Sequence, residues 1–327
     1  MNSVLLTSDH RLTDPWSPFA EHYQDIITRA ASVIATYPPV LQQAARSYWD
    51  RLLQAPFTRI AVLLPAWTGE MLGSSQEVNV GLGLANLWGW AYYRLQDWLV
   101  DDETEHDHAI LFGIAFFAEY LRILCESLPH DPSFSDLILE MTLTASEANA
   151  REATSRFRHL GEINEAMLDL GPLERLAERA APLNLAVIAQ LRLTSHSASD
   201  ALYQDTLECI RAYSIFNQLL DDEEDWVADL RAGRLNSYSA TLLQRLQEKK
   251  EVYPSIEWLV GYSLNDQEFL AERHRLKMGY LERVSVLASR HNGHALASFC
   301  AEMRARLVAD YYRLSEARRA FVSCFHH

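Results

Sequence analysis

Glycine is scarce in this chain, at 12 of 327 residues, and proline numbers only 11. A protein built from strands needs turn residues roughly every 8–12 positions. That punctuation is missing, which excludes an all-β sandwich or barrel. Cysteine is rarer still. Cys125, Cys209, Cys300 and Cys324 lie far apart with no CxxC, so they form neither a disulfide framework nor a zinc site and read as reduced, structural thiols. Basic residues are few: 29 Lys and Arg face 44 Asp and Glu, a formal net charge of −15. Nucleic acids and anionic membrane surfaces both demand a basic footprint, so neither is expected as the partner. No uncharged apolar run reaches the ~18 residues of a membrane helix, so no stable membrane insertion is expected. The opening MNSVLLTSDHRLTDPW lacks the basic start and apolar core of a signal peptide. The expected location is the cytoplasm. No GxSxG, Walker, GxGxxG or HExxH pattern occurs, which removes the commonest hydrolase, nucleotide and zinc-protease chemistries.

What remains is helical. Leu, Ala, Arg and Glu are abundant, and 49% of residues are hydrophobic, enough for a large core. Helices are expected near 17–36, 40–54, 77–100, 108–127, 133–156, 173–195, 198–231, 236–250, 265–290 and 294–322. Breaks fall at Pro38, Pro39, Pro56, Pro65, Gly73, Pro129, Pro132, Gly161, Pro172 and Gly233. No linker-like stretch interrupts them. The expectation is a single all-α domain over 1–327, a helical bundle of about ten helices.

Two of these helices have an unusual pattern. The segment from Val78 to Trp98 is apolar nearly all round and then meets Asp97, Asp101, Asp102 and Glu103. The segment from Ala198 to Leu230 runs through Leu202, Cys209, Ile215, Phe216 and Leu219 into Asp221, Asp222, Glu223, Glu224, Asp225 and Asp229. A helix apolar on all faces is buried, so both acid runs should stand at the mouth of the core. Negative charge at a helix C-terminus opposes the macrodipole, so each run is electrostatically unfavourable by itself. Asp97 and Asp101 are four residues apart and share a face; Asp221, Asp225 and Asp229 repeat that spacing. Like charges so placed repel. A divalent cation reverses the sign. Mg²⁺ prefers hard oxygen ligands and takes one or two carboxylates together with substrate phosphates. Two facing aspartate ledges with a diphosphate between them would let an acidic protein bind a more acidic substrate. Behind the ledges, Arg94, Tyr93 and Trp90 follow Asp97, and Gln218, Asn217, Ser214 and Tyr213 follow Asp221, with Phe216 beside them. These aromatic and small polar groups are candidate cavity-lining residues. The runs Glu147–Glu152 and Glu174–Glu178 read as solvated helix faces.

The run Gln218-Leu-Leu-Asp221-Asp222-Glu-Glu-Asp225 resembles the second aspartate-rich motif of trans-prenyl diphosphate synthases. Arg179-Ala-Ala-Pro-Leu183, 42 residues before Asp221, is similar to the short basic segment that precedes that motif. The spacing Asp221-x3-Asp225-x3-Asp229-x3-Gly233-Arg234 resembles the second motif of squalene and phytoene synthases, and Arg94-x2-Asp97-x3-Asp101-Asp102 their first. All belong to the class I isoprenoid synthase superfamily, which also holds the terpene cyclases. The resemblance implies an α-bundle around a deep central cavity, the class I terpenoid synthase fold, with three Mg²⁺ ions holding the diphosphate at its mouth. It implies Asp97, Asp101 and Asp102 as ligands on the first ledge, although Asp102 points about 140° away from Asp97 on an ideal helix. It implies Asp221, Asp222, Asp225 and Asp229 on the second. Arg179 would sense the diphosphate, with Arg94, Arg231 and Arg234 nearby. Tyr311, Tyr312 and Arg313 resemble the Arg/Tyr pair that closes over the diphosphate in terpene cyclases.

Departures from each branch narrow the expectation. Chain-elongating prenyltransferases carry a GKxxRP-like segment for the second diphosphate, whereas the N-terminal third here has no lysine. The NSE triad of terpene cyclases and the YxxxVAG-like segment of phytoene synthases are absent too. An enzyme with both aspartate ledges and no second-substrate segment is expected to be a single-substrate terpene synthase. It would ionise an allylic prenyl diphosphate with Mg²⁺ and release diphosphate. The alternatives are squalene- or phytoene-synthase-like coupling of two prenyl diphosphates, and a non-catalytic prenyl-diphosphate-binding homologue. The sequence leaves the oligomeric state open; a homodimer is one option, since dimers are common in the superfamily it resembles.

Overall fold

The computed structural model describes residues 17–100, 109–154, 156–251 and 254–323. Thirteen α-helices occur among the described residues, with no strand. They are α1 (Ala20–Ile34), α2 (Pro39–Gln54), α3 (Pro56–Leu72), α4 (Gln76–Val100), α5 (Ala109–Ser127), α6 (Pro132–Thr154), the single turn α7 (Glu165–Leu168), α8 (Ala181–Leu193), α9 (Ala201–Arg231), α10 (Ser237–Glu248), α11 (Ile256–Asn265), α12 (Gln267–Arg290) and α13 (His294–Ser323). The all-α expectation is met, with more helices than the breaks suggested. The largest difference is α3, where Pro56 and Pro65 read as punctuation. Pro56 occupies the first helical position, where a missing N–H is harmless. Pro65 lies inside α3 and cannot donate to the carbonyl of Ala61. The side-chain amide of Asn86 on α4 donates to that carbonyl instead, at 3.1 Å. The Pro65 carbonyl accepts from Gln190 on α8 at 2.8 Å. Tertiary contacts thus supply what the sequence removed.

α4 packs on α1, α3, α5 and α8. Its apolar circumference is used on all sides: Trp88, Leu87 and Ala91 are buried against Trp49, Phe112 and Phe116. Gly83 lets α1 and α3 close in, since a Cβ there would meet Ile26 at 2.6 Å and the Val62 carbonyl at 2.8 Å. α9 is the second long central helix and packs on α3, α8, α10 and α12. Its inner residues Cys209, Ile210, Tyr213 and Phe216 join α3, α12 and α13 in a second core cluster. Both helices therefore carry their acid runs out of packed apolar interiors. None of the described helices is long and apolar enough to cross a membrane.

Candidate active site

The C-terminal half of α4 carries Asp97, and the last three turns of α9 carry Asp221, Asp225 and Asp229. Asp101 and Asp102 lie outside the described residues. Arg94 Nη1 stands 3.7 Å and Arg179 Nη2 4.0 Å from the Asp97 carboxylate. Arg179 precedes α8, and its Nε donates to Asn149 Oδ1 on α6 at 3.2 Å. Across the gap, the Asp221 carboxyl is pushed up to about 7. Burial is the main cause, repulsion from Asp225 and Asp222 adds to it, and Arg179 and Arg94 oppose it. The same two guanidiniums thus act on Asp97 and on Asp221, which brings the two ledges to one mouth.

The remaining acids of α9 are differently employed. Asp222 is buried and accepts from the Ser237 backbone N–H at 2.9 Å and from Gln218 Nε2 at 2.8 Å. Asp229 Oδ1 accepts from Arg234 Nη2 at 3.0 Å, and its Oδ2 from Asn236 Nδ2 at 2.8 Å. Burial raises the Asp229 carboxyl while Arg234 and Asn236 lower it. Asp225 is exposed at the mouth. Gly233, at φ +76°, makes the turn that delivers Arg234; a Cβ there would lie 2.1 Å from the Phe157 carbonyl oxygen.

A cavity of about 500 Å³ opens beside this mouth. Its polar end is Asp97, Asn149, Arg179 and Arg234, and its apolar end includes Tyr92, Leu95, Leu99, Ile110 and Ile114. Trp90 faces the start of α3 and donates to Thr58 Oγ1 at 3.0 Å. Tyr93 is half-buried, and burial raises its hydroxyl. Asn217 and Gln218 are half-buried next to the second ledge. Tyr213 and Phe216 are buried in the second core cluster with Phe299. Three residues sit on the outside: Arg231 faces Glu257 at 3.6 Å, Tyr312 is exposed, and Arg313 pairs with Asp310. Asn149 was missed because it falls in an acidic stretch that reads as solvated, and Asn236 because it lies past the motif.

The donors are hard carboxylate oxygens of the kind Mg²⁺ takes, and Asp221, raised by burial and then by Asp225 and Asp222, would be favoured in its ionised form by a cation. Among the described residues no three acidic, His or Cys side chains form a ready metal cage.

No protein-family model and no curated protein matches the chain. Solved structures do. Geranylgeranyl pyrophosphate synthase from Lactobacillus brevis aligns over 90% of this chain and 99% of its own, with TM-score 0.63 and 15% identity. Farnesyl diphosphate synthase of T. brucei aligns over 88% and 99%, with TM-score 0.60 and 13% identity. The chain has the isoprenoid synthase fold. A further isoprenoid synthase family member, from Thermotoga neapolitana, aligns over 87% and 99% with TM-score 0.58 and 15% identity. In the isoprenoid synthase fold of this chain, α4 and α9 are the two helices that bring acids to the mouth.

Proposed function

We propose that this chain is a single catalytic domain that ionises an allylic prenyl diphosphate with Mg²⁺ and joins the prenyl group to a second prenyl diphosphate. The observation that carries the reading is the position of Arg179, which acts on both aspartate ledges at the polar end of an apolar cavity. Coupling is preferred because the solved structures with this fold include a farnesyl and a geranylgeranyl diphosphate synthase that align along their full length. Bound Mg²⁺ would be held by Asp97, Asp221 and Asp225, and it supplies charge neutralisation for the departing diphosphate. Arg179 and Arg234 orient the diphosphate and stabilise the negative charge it gains as the C–O electron pair leaves with it. Tyr92, Leu95 and Leu99 exclude water from the allylic cation. A double bond of the second substrate donates the electrons of the new C–C bond, and a proton is lost. Asp222 and Asp229 hold the turn after α9.

Single-substrate cyclisation is the second reading. One observation favours it: among the described residues the cations lining the cavity are Arg179 and Arg234, neither from the N-terminal third.

The partner is a second copy of the chain. Its support is an apolar stripe on α5 and α6 in which Ile110, Ile114, Leu139 and Leu143 are each about 60% exposed. Ile110 and Ile114 also wall the cavity. Some charges of α5 and α6 are internally paired, Arg122 with Glu119 and Glu126, and Arg151 with Glu147.

The test is incubation with dimethylallyl, geranyl, farnesyl and geranylgeranyl diphosphates, singly and in pairs with isopentenyl diphosphate, with and without Mg²⁺. A longer or doubled prenyl product establishes coupling. A hydrocarbon or alcohol from one substrate establishes cyclisation. No diphosphate release from any mixture leaves a binding protein.

A further inference from the structure

The turn between α9 and α10 delivers Arg234 to the cavity, and the arginine is held from behind. Nε and Nη2 of Arg234 donate to Asp229 Oδ1 at 3.3 and 3.0 Å. The two side chains are only 13% and 16% exposed. A guanidinium is planar with its donors in a fixed fork, so gripping one edge sets the direction of the other. The grip itself depends on a residue outside every motif. Asn236 Nδ2 donates to Asp229 Oδ2 at 2.8 Å and to the Asp222 backbone carbonyl at 2.9 Å. It thus touches α9 at two points two turns apart.

Asn236 has a second task that must be separated from this one. Its Oδ1 caps α10 by accepting from the Tyr238 and Ser239 backbone N–H groups at 3.1 and 3.0 Å. Capping needs only that oxygen, and Asp or Ser would cap about as well. The amide nitrogen is superfluous to the cap. Asparagine brings an acceptor for α10 and, on a separate atom, a donor for α9.

We propose that Asn236 is a positioning residue for diphosphate binding: through Asp229 it fixes the plane of Arg234, so that the guanidinium is already aimed at the cavity mouth shared with Arg179. The inference rests on the reading above that the polar end of the cavity takes a diphosphate. It also gives Asp229 a role other than holding metal. The preorganisation matters because a guanidinium free to rotate would lose conformational entropy on each binding event.

The test separates cap from grip. Asn236→Asp and Asn236→Ser both keep a capping oxygen and both lose the Nδ2 donor. Binding of inorganic diphosphate is measured by calorimetry in Mg²⁺, beside KM and kcat with geranyl diphosphate and the thermal midpoint. Both variants should bind diphosphate about tenfold more weakly, in the range for partners that orient a binding group, with KM rising more than kcat falls. Arg234→Met should lose at least as much, and the Arg234→Met/Asn236→Ser double variant no more than Arg234→Met alone. Unchanged diphosphate binding in Asn236→Ser, or additive losses in the double variant, would overturn the proposal. Failure of the unaltered protein to bind diphosphate overturns the reading of the cavity, and this inference with it.

Discussion

The Arg179 guanidinium stands 4.0 Å from Oδ1 of Asp97 while its Nε donates to Asn149 at 3.2 Å. Asn149 thus fixes the approach, and the charged end faces the ledge. Both side chains of the ion pair are about 30% exposed, so the pair itself contributes little to stability. On the proposed reading its role is to meet the diphosphate. Arg179→Met should lower Mg²⁺-dependent diphosphate release at least about a hundredfold, the scale for removing one charge-stabilising donor, with a thermal midpoint close to that of the unaltered protein. Arg179→Lys keeps the charge but not the fork and should recover only part.

Asp221 makes the site sensitive to pH. Its folded-state value, about 7, lies above the unbound carboxyl value of 3.8, mainly through burial and then through Asp225 and Asp222. Between those values the folded chain holds more protons than the unfolded chain. Metal-free stability should therefore fall as pH rises from about 4 to 7. Mg²⁺ competes for the ionised form, so its apparent affinity in the presence of inorganic diphosphate should climb over the same window. Thermal melts across pH, with and without Mg²⁺ and diphosphate, read both slopes. Asp221→Asn should flatten both, leaving a metal-free protein that melts higher at pH 7 than the unaltered chain.

The acid runs stood out in the sequence because i,i+4 carboxylates on otherwise apolar helices conflict with local electrostatics; the structure sets Asp97 and Asp221 under the same two arginines, while Asp101 lies outside the described residues. The bundle was legible from helix-forming composition and the scarcity of turn residues. α3 was not, because the donor that satisfies Ala61 comes from Asn86, 25 residues away, and no local rule reports it. Tyr213 and Phe216 were placed beside the cavity by spacing from Asp221, yet both are buried against Phe299 and its neighbours. A helix of 31 residues presents several faces, and spacing alone does not say which neighbour each one meets. Arg231 and Arg234 look alike in sequence. Only the left-handed turn at Gly233 sends one to Glu257 on the surface and the other into the cavity.

Asn86 offers a stability test remote from the site. Its amide donates to the carbonyl that Pro65 orphans, and it is fully buried. Asn86→Ala leaves that carbonyl unpaired in the interior and should cost about 1–3 kcal/mol, measured by chemical denaturation. In a Pro65→Ala background the helix can satisfy Ala61 itself, so the same substitution should cost measurably less. Equal losses in the two backgrounds would mean that Asn86 acts by packing alone.

The stripe on α5 and α6 tests whether the cavity is complete in one chain. Ile110 and Ile114 line the cavity and are also 62% and 59% exposed, with Leu139 and Leu143 each 60% exposed on α6. A cavity meant to keep water from an allylic cation is poorly served by a wall facing solvent, and exposed large apolar side chains of this kind are what an interface covers. If two copies meet here about a two-fold axis, each stripe covers the other. Leu139→Glu and Leu143→Glu place a carboxylate on the stripe without touching the ledges. Each should shift sedimentation from dimer to monomer while the helical signal is kept, because both positions are already exposed. In the monomer water reaches the cation, so the prenyl alcohol should rise at the expense of the coupled product. A dimer that survives both substitutions would assign the interface to another face.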